Sequence, residues 1–245
     1  MGVCLSGGSD STLVLVAAVE AIGADKVIAF TADTAFITGD EMDVASRLCH
    51  KLGVKHIKPR VFLMQNESIT RNDIKKCVYC KRDILNTLSK SAVQYNISLL
   101  LDGAHASVLP DNKLTTHDGV VIMSPLRDAR ITKTDITNLL KEKGFSDYIR
   151  PASSCLAARI AVGDPITIKK LRWLRAAENY IMRLGFDFVW VSVRGLDADV
   201  QVMEKDVPRL IEYSDEIIAE LMGMGYEHVT INPNGYKKIS QCIGD

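Results

Sequence analysis

Near its start the chain reads Val3-Cys4-Leu5, then Ser6-Gly7-Gly8-Ser9-Asp10-Ser11-Thr12, then an apolar-rich stretch to Ile22 closed by Gly23. A strand stub, a glycine–serine turn and a helix-period segment in that order set a strand against a helix N-terminus. Backbone N–H groups at such a turn, with the positive end of the helix, suit an anion. Glycine lets the main chain approach phosphate closely, and the hydroxyls of Ser6, Ser11 and Thr12 can donate to phosphate oxygens. Asp10 would repel phosphate unless Mg²⁺ stood between them, which gives it the role of metal ligand or pyrophosphate positioner. The lysine of a Walker A loop is missing, so γ-phosphoryl transfer is not the natural reading. A plain turn capping a helix is the alternative.

Hydrophobic runs alternate with helix-period segments over the first half, which predicts an α/β domain with a parallel sheet. Strands are expected at 27–31, 55–58, 99–101 and 120–123, and helices at 11–22, 40–52, 81–96 and 132–143. Residues 148–163 read as irregular, so a junction is placed near residue 150: a nucleotide-type domain over 1–150, then a smaller α+β domain over 151–245 for substrate binding or oligomerisation. The second part is expected to hold a helix over 167–184, strands at 188–193 and 200–203, a helix over 207–221 and a strand at 228–231.

Composition narrows the function classes. Thirty basic residues balance thirty acidic ones, so the broad electrostatic funnel of a general nucleic-acid binder is missing. No apolar run approaches the ~20 residues that cross a bilayer, and the first eight residues do not read as a signal peptide. The chain is therefore read as cytoplasmic.

Six cysteines in a chain of this length do not suggest a disulfide scaffold. Cys4, Cys49 and Cys242 read as core or surface residues, and the five histidines show no shared spacing. Cys77-Val78-Tyr79-Cys80 is read just before a helix, among Lys75, Lys76, Lys81 and Arg82, where both thiols can face one centre as thiolates. The pair fits a redox dithiol, half of a zinc site completed by His105 or His117, or two ligands of an iron–sulfur cluster. Cys155, in Pro151-Ala152-Ser153-Ser154-Cys155-Leu156-Ala157-Ala158-Arg159-Ile160, supplies a third thiol. Three cysteines without an obvious fourth suggest a [4Fe–4S] cluster with one open iron able to hold hydrosulfide. A buried loop thiol at 155 with a structural zinc clip at 77 and 80 is the alternative.

The Ser6–Ser11 loop resembles the SGGxDS loop of the ATP pyrophosphatases, which cleave ATP to AMP and pyrophosphate and adenylylate a carbonyl or carboxyl oxygen. Relatives usually have a helix and a longer strand upstream, so the start of the chain is expected to lie earlier. Together with the Pro151–Ile160 segment, and with Asp102-Gly103, Ser124-Pro125-Leu126, Thr132-Lys133, Gly225-Tyr226 and Gly235-Tyr236, the loop makes the chain similar to the LarE family. Those proteins are ATP-dependent sulfur insertases of the nickel-pincer cofactor. The resemblance implies a PP-loop domain that binds ATP through Ser6, Gly7, Gly8, Ser9, Ser11 and Thr12, with adenosine near Ala32, Asp33 and Thr34.

It also implies Cys155 as the sulfur-bearing residue. In one branch that cysteine is sacrificed to dehydroalanine; in the other it joins a Cys-x-x-Cys to hold a [4Fe–4S] cluster, the branch indicated by Cys77 and Cys80. The implied reaction is adenylylation of a pyridinium carboxylate mononucleotide by MgATP, followed by attack of hydrosulfide and loss of AMP. Arg159 would bind the acyl-phosphate or substrate phosphate, a solvated loop arginine being the alternative, and Lys133 is a weaker phosphate candidate. A small carboxylate substrate, a sulfide source and a homo-oligomer complete the implied partners.

Departures from the family bear on the acceptor. Only Arg194 remains of the arginines usual in the strand at 189–194, Ala104-His105-Ala106-Ser107 replaces a polar and acidic run, and lysine follows Gly235-Tyr236 where arginine is expected. A tRNA thiolase using the same loop and cluster, and a noncatalytic nucleotide-binding Fe–S sensor, are the competing functions. The first lacks a basic RNA-binding surface.

Overall fold

A computed structural model describes residues 1–106, 116–117, 119–150 and 155–236. Its contacts divide the chain into two units. Of the described residues, one holds 1–62 and those from 78 to 150; the other holds 63–77 and 155–236. A single junction near residue 150 did not anticipate the assignment of 63–77 to the second unit.

The first unit is an α/β layer structure. Its sheet runs β3(Lys55–Ile57), β2(Ile28–Phe30), β1(Gly2–Cys4), β4(Leu99–Leu101), β6(Val120–Met123) and β5(Thr116–His117). The first five are parallel and β5 is an antiparallel edge. The two-residue period of a strand sends alternate side chains to opposite faces. Val3 and Leu5 pack with residues of α1(Ser9–Ile22), α2(Gly39–Leu52) and α6(Lys133–Glu142). Cys4 lies instead with Phe30, Leu100 and Ile122, against Leu88 and Ala92 of α4(Lys76–Gln94). Each fully buried Leu or Phe contributes about 1.5–3 kcal/mol.

Both α2 and α6 start at capping boxes, Thr38 with Glu41 and Thr132 with Asp135. Cys49 is buried in this core, with its thiol pushed up to about 11 by burial, and Cys4 is pushed up to about 12 by burial and then Asp102. Both belong to the packing, as the sequence suggested.

One polar chain crosses this sheet. The Thr31 hydroxyl donates to the Leu5 carbonyl at 2.7 Å, so His56 Nε2, 2.7 Å from Thr31 Oγ1, is the donor of that second bond. Burial, reinforced by Lys58, lowers His56 to about 4 from 6.5. Between those values the unfolded chain binds more protons than the folded one. The contribution of His56 to stability is therefore complete above about pH 6.5 and is lost as pH falls towards 4. His56→Gln is expected to show a shallower loss of melting temperature over that range than the parent chain. Parallel curves would refute this.

The second unit holds α3(Glu67–Thr70), α7(Ile168–Arg183), α8(Val207–Glu212), α9(Ser214–Met224) and a sheet of β7(Val189–Arg194), β8(Asp197–Val202) and β9(His228–Ile231). β7 and β8 form an antiparallel hairpin through Gly195-Leu196, where Gly195 takes φ 62°, and β9 runs parallel to β8. The register Arg194↔Asp197 starts β8 before the expected residue 200. Asn72 organises the 63–77 segment. Fully buried at φ 57°, it donates to the carbonyls of Ala161 and Asp164 at 2.8 Å and of Ile160 at 3.2 Å.

Two helices differ from expectation. α4 begins at Lys76, so Cys77 and Cys80 lie within its first two turns and not ahead of it; Asp73 Oδ1, accepting from Lys75 N–H at 2.7 Å, makes the turn that leads in. The apolar stripe over 207–221 is carried by two helices parted at Tyr213, with Pro208 opening the first.

Candidate active site

The Ser6–Thr12 loop joins the C-terminal end of β1 to α1, where ligands bind in open α/β sheets. Its shape is fixed from within. Ser11 donates to the Gly8 carbonyl at 3.1 Å and accepts the Ser6 hydroxyl at 3.0 Å, while the Gly8 N–H reaches Ser6 Oγ at 3.3 Å. The hydroxyls of Ser6 and Ser11, the expected phosphate donors, are thus bonded within the loop. The first helical bond is Thr12 N–H to Gly8, so the N–H groups of Ser9, Asp10 and Ser11 precede it without an intrahelical acceptor. Gly7, at φ 82°, has room for no side chain: a Cβ there would lie 2.4 Å from the Glu41 carbonyl oxygen. Thr12 is fully buried and its hydroxyl has no hydrogen-bond partner.

Asp10 does not stand alone before the phosphate position. Lys133, at the start of α6, pairs with its Oδ1, and His105 Nε2 lies 4.0 Å from Oδ2. The negative charge of Asp10 is thus balanced by a lysine of this chain. Ser9 faces elsewhere: its hydroxyl accepts the Arg150 N–H at 3.0 Å and points to the Arg150 and Tyr148 carbonyls at 3.3 and 3.4 Å. Ala32 and Asp33 follow β2 at the same end of the sheet as the loop. The Asp33 N–H is bonded to Pro59 and its carboxylate lies 3.7 Å from Arg60.

The second unit carries Cys155 at the N-cap of a 3₁₀ turn, Leu156–Arg159. Burial pushes its thiol up, against the downward pull of the Ala158 N–H, Lys76, the Ala157 N–H and Arg159. Lys76, only 3% exposed, donates to the Ala157 carbonyl at 2.8 Å and to Asn72 Oδ1. Arg159 is equally buried. Its Nε pairs with Glu178, its guanidinium lies 4.4 Å from the centre of the Trp190 ring, and its Nη1 donates to the Cys155 carbonyl at 3.1 Å. Glu178 also accepts the Val191 N–H at 3.1 Å. These contacts give Arg159 the work of fixing the Cys155 turn, where the sequence had suggested a grip on substrate phosphate.

Cys77 and Cys80 stand one turn apart on α4, and Cys77 shares the second unit with Cys155. A three-thiolate cluster needs all three sulfurs around one centre. Cys77 is disulfide-bonded, a form in which its sulfur cannot ligate iron. Among the described residues no group of three or more His, Cys, Asp and Glu is placed to hold a metal ion. As held here the cysteines do not fit the cluster, nor does His105, which sits at Asp10, complete a zinc site. Cys242 and the side chain of His117 lie outside the described residues. The sequence named Lys76 only as a cation beside the Cys77–Cys80 pair and gave no role to Arg150, Asn72 or Glu178.

The asparagine synthase family model matches residues 1–107, the part of the chain that carries the loop. Over 237 residues the chain is 27% identical to the pyridinium-3,5-bisthiocarboxylic acid mononucleotide synthase of Lactiplantibacillus plantarum, covering 96% of this chain and 86% of that protein. The chain is thus similar to a LarE-type PP-loop protein over nearly its whole length. The chain is also 26% identical over 243 residues to an uncharacterised protein of Synechocystis sp., covering 96% and 89%. A glutamine-dependent NAD(+) synthetase of Xylella fastidiosa shares 47% identity over 51 residues, 21% of this chain and 9% of that one. At family level these likenesses support a sulfur-inserting enzyme that uses ATP. Among the described residues, no helix is long and apolar enough to cross a membrane.

Proposed function

We propose that this chain adenylylates a carboxylate of a pyridinium mononucleotide and exchanges the activated oxygen for sulfur at Cys155. In the first step a carboxylate oxygen attacks the α-phosphorus of ATP, and pyrophosphate leaves towards the N–H groups of Ser9, Asp10 and Ser11. Lys133 and Asp10 set the charge there. In the second step the Cys155 thiolate attacks the acyl carbon, the acyl–oxygen bond breaks and AMP departs, leaving a thioester. Loss of the Cys155 Cα proton with breakage of its Cβ–Sγ bond then frees the thiocarboxylate and leaves dehydroalanine, whereas hydrosulfide attacking the thioester carbon would free it and return the Cys155 thiolate. The resting thiol is held protonated by burial, so it must lose its proton as it attacks; the Ala157 and Ala158 N–H groups, Lys76 and Arg159 all favour the anion.

The observation that carries this reading is the setting of Cys155, a half-buried sulfur held on a turn fixed by two buried cations. The [4Fe–4S] cluster remains a reading of the sequence; it would require the Cys77 bond to be reduced, and no step is drawn through it. Reduced protein given MgATP and a pyridinium dicarboxylate mononucleotide is expected to release pyrophosphate and AMP and to form a thiocarboxylate visible by mass spectrometry. Sulfur entering tRNA instead would move the assignment to a tRNA thiolase. Nucleotide binding without pyrophosphate release would move it to a sensor.

A further inference from the structure

The cations beside the loop come in two pairs. Lys133 rests on Asp10, and Arg150, to which neither motif nor spacing drew attention, rests on Asp40 near the start of α2. Arg150 is tied to the loop by its main chain, since both its N–H and its carbonyl lie within hydrogen-bond distance of Ser9 Oγ, at 3.0 and 3.3 Å. Its side chain faces the carboxylates of Asp40 and Glu41, and Glu41 is the residue whose carbonyl packs on Gly7. The guanidinium therefore lies where the phosphate loop meets the start of α2.

One of its nitrogens is unanswered. Nη1 is buried and has no hydrogen-bond partner, while Nη2 is spent on Asp40. A buried donor without an acceptor costs about 1–3 kcal/mol. Asp40 is half exposed, at 50%, and so can be resolvated cheaply if its partner leaves. A planar fork with one arm idle and the other on a replaceable carboxylate is suited to two oxygens of one phosphate.

We propose that Arg150 is a phosphate-binding residue of the nucleotide site, exchanging Asp40 for phosphate oxygens when ATP or the acyl-adenylate occupies the loop. This rests on the reading of the loop as an ATP site. Calorimetric titration of the full chain with MgATP, inorganic pyrophosphate and adenosine separates the possibilities. Arg150→Gln is expected to weaken MgATP and pyrophosphate by ~10-fold or more and to leave adenosine unchanged, which also reports an intact fold. Arg150→Lys, keeping charge without the fork, is expected between the two. Asp40→Asn, which releases the guanidinium, is expected to bind MgATP at least as tightly as the parent.

An arginine that merely anchored α2 would give Asp40→Asn and Arg150→Gln the same loss, and that result would overturn the proposal. Undiminished MgATP binding by Arg150→Gln would overturn it alone. Failure of the parent chain to bind MgATP would overturn the reading of the loop as well.

Discussion

Cys155→Ser is expected to keep mononucleotide-dependent pyrophosphate release and to lose thiocarboxylate formation by roughly a thousandfold or more, as removal of a reacting nucleophile does. Serine can take the same N-cap position and leaves the Arg159 contact to the residue-155 carbonyl in place. The variant therefore isolates the sulfur from the turn that carries it. The protein mass after one turnover of the parent identifies the source. Dehydroalanine at 155 means that the cysteine gave up its own sulfur; an unchanged mass means that sulfur was supplied to it. Anaerobic iron and sulfide analysis of the reduced chain tests the cluster separately. Persistent thiocarboxylate formation by Cys155→Ser would remove Cys155 from the reaction.

Glu178→Ala should cost the second unit about 3–5 kcal/mol, because it leaves the guanidinium of Arg159 buried without its carboxylate and the Val191 N–H without its acceptor. For a chain of this size that is roughly 10 °C in melting temperature. The double change Arg159→Met with Glu178→Leu should recover much of the loss, since a buried pair exchanged for packed apolar groups is often neutral. Urea unfolding of the parent and the two variants checks both statements. A loss below about 1 kcal/mol in Glu178→Ala would mean that water enters and solvates Arg159.

The first unit was legible because its elements are made by local pattern. Val3-Cys4-Leu5, the glycine turn and the run to Ile22 specify strand, loop and helix without help from distant residues. The second unit was less so, because long-range polar contacts decide it. Asn72 carries no motif and Lys76 stood out only as a cation beside the Cys77–Cys80 pair, yet both are buried against main-chain carbonyls from 157 to 164. Arg159 read as a residue for substrate because its carboxylate partner is on α7 and its aromatic partner on β7, at separations that no short motif encodes. The helix over 207–221 was read as continuous because its apolar period runs through Tyr213, where only backbone geometry marks the break. At the loop, Ser6 and Ser11 lie in the strand-to-helix turn that the pattern marks, and their protons go to the loop itself, a choice visible only once the turn is closed.

The polar chain from His56 through Thr31 to Leu5 gives the loop an external reference point. Leu5 is the last residue before Ser6, and its carbonyl is held by a threonine that is itself held by an imidazole on the edge strand β3. The entrance to the phosphate loop is thus surveyed from two strands away. Natural variation at positions 31 and 56, far outside the glycine signature, should alter where that signature sits as surely as changes within it.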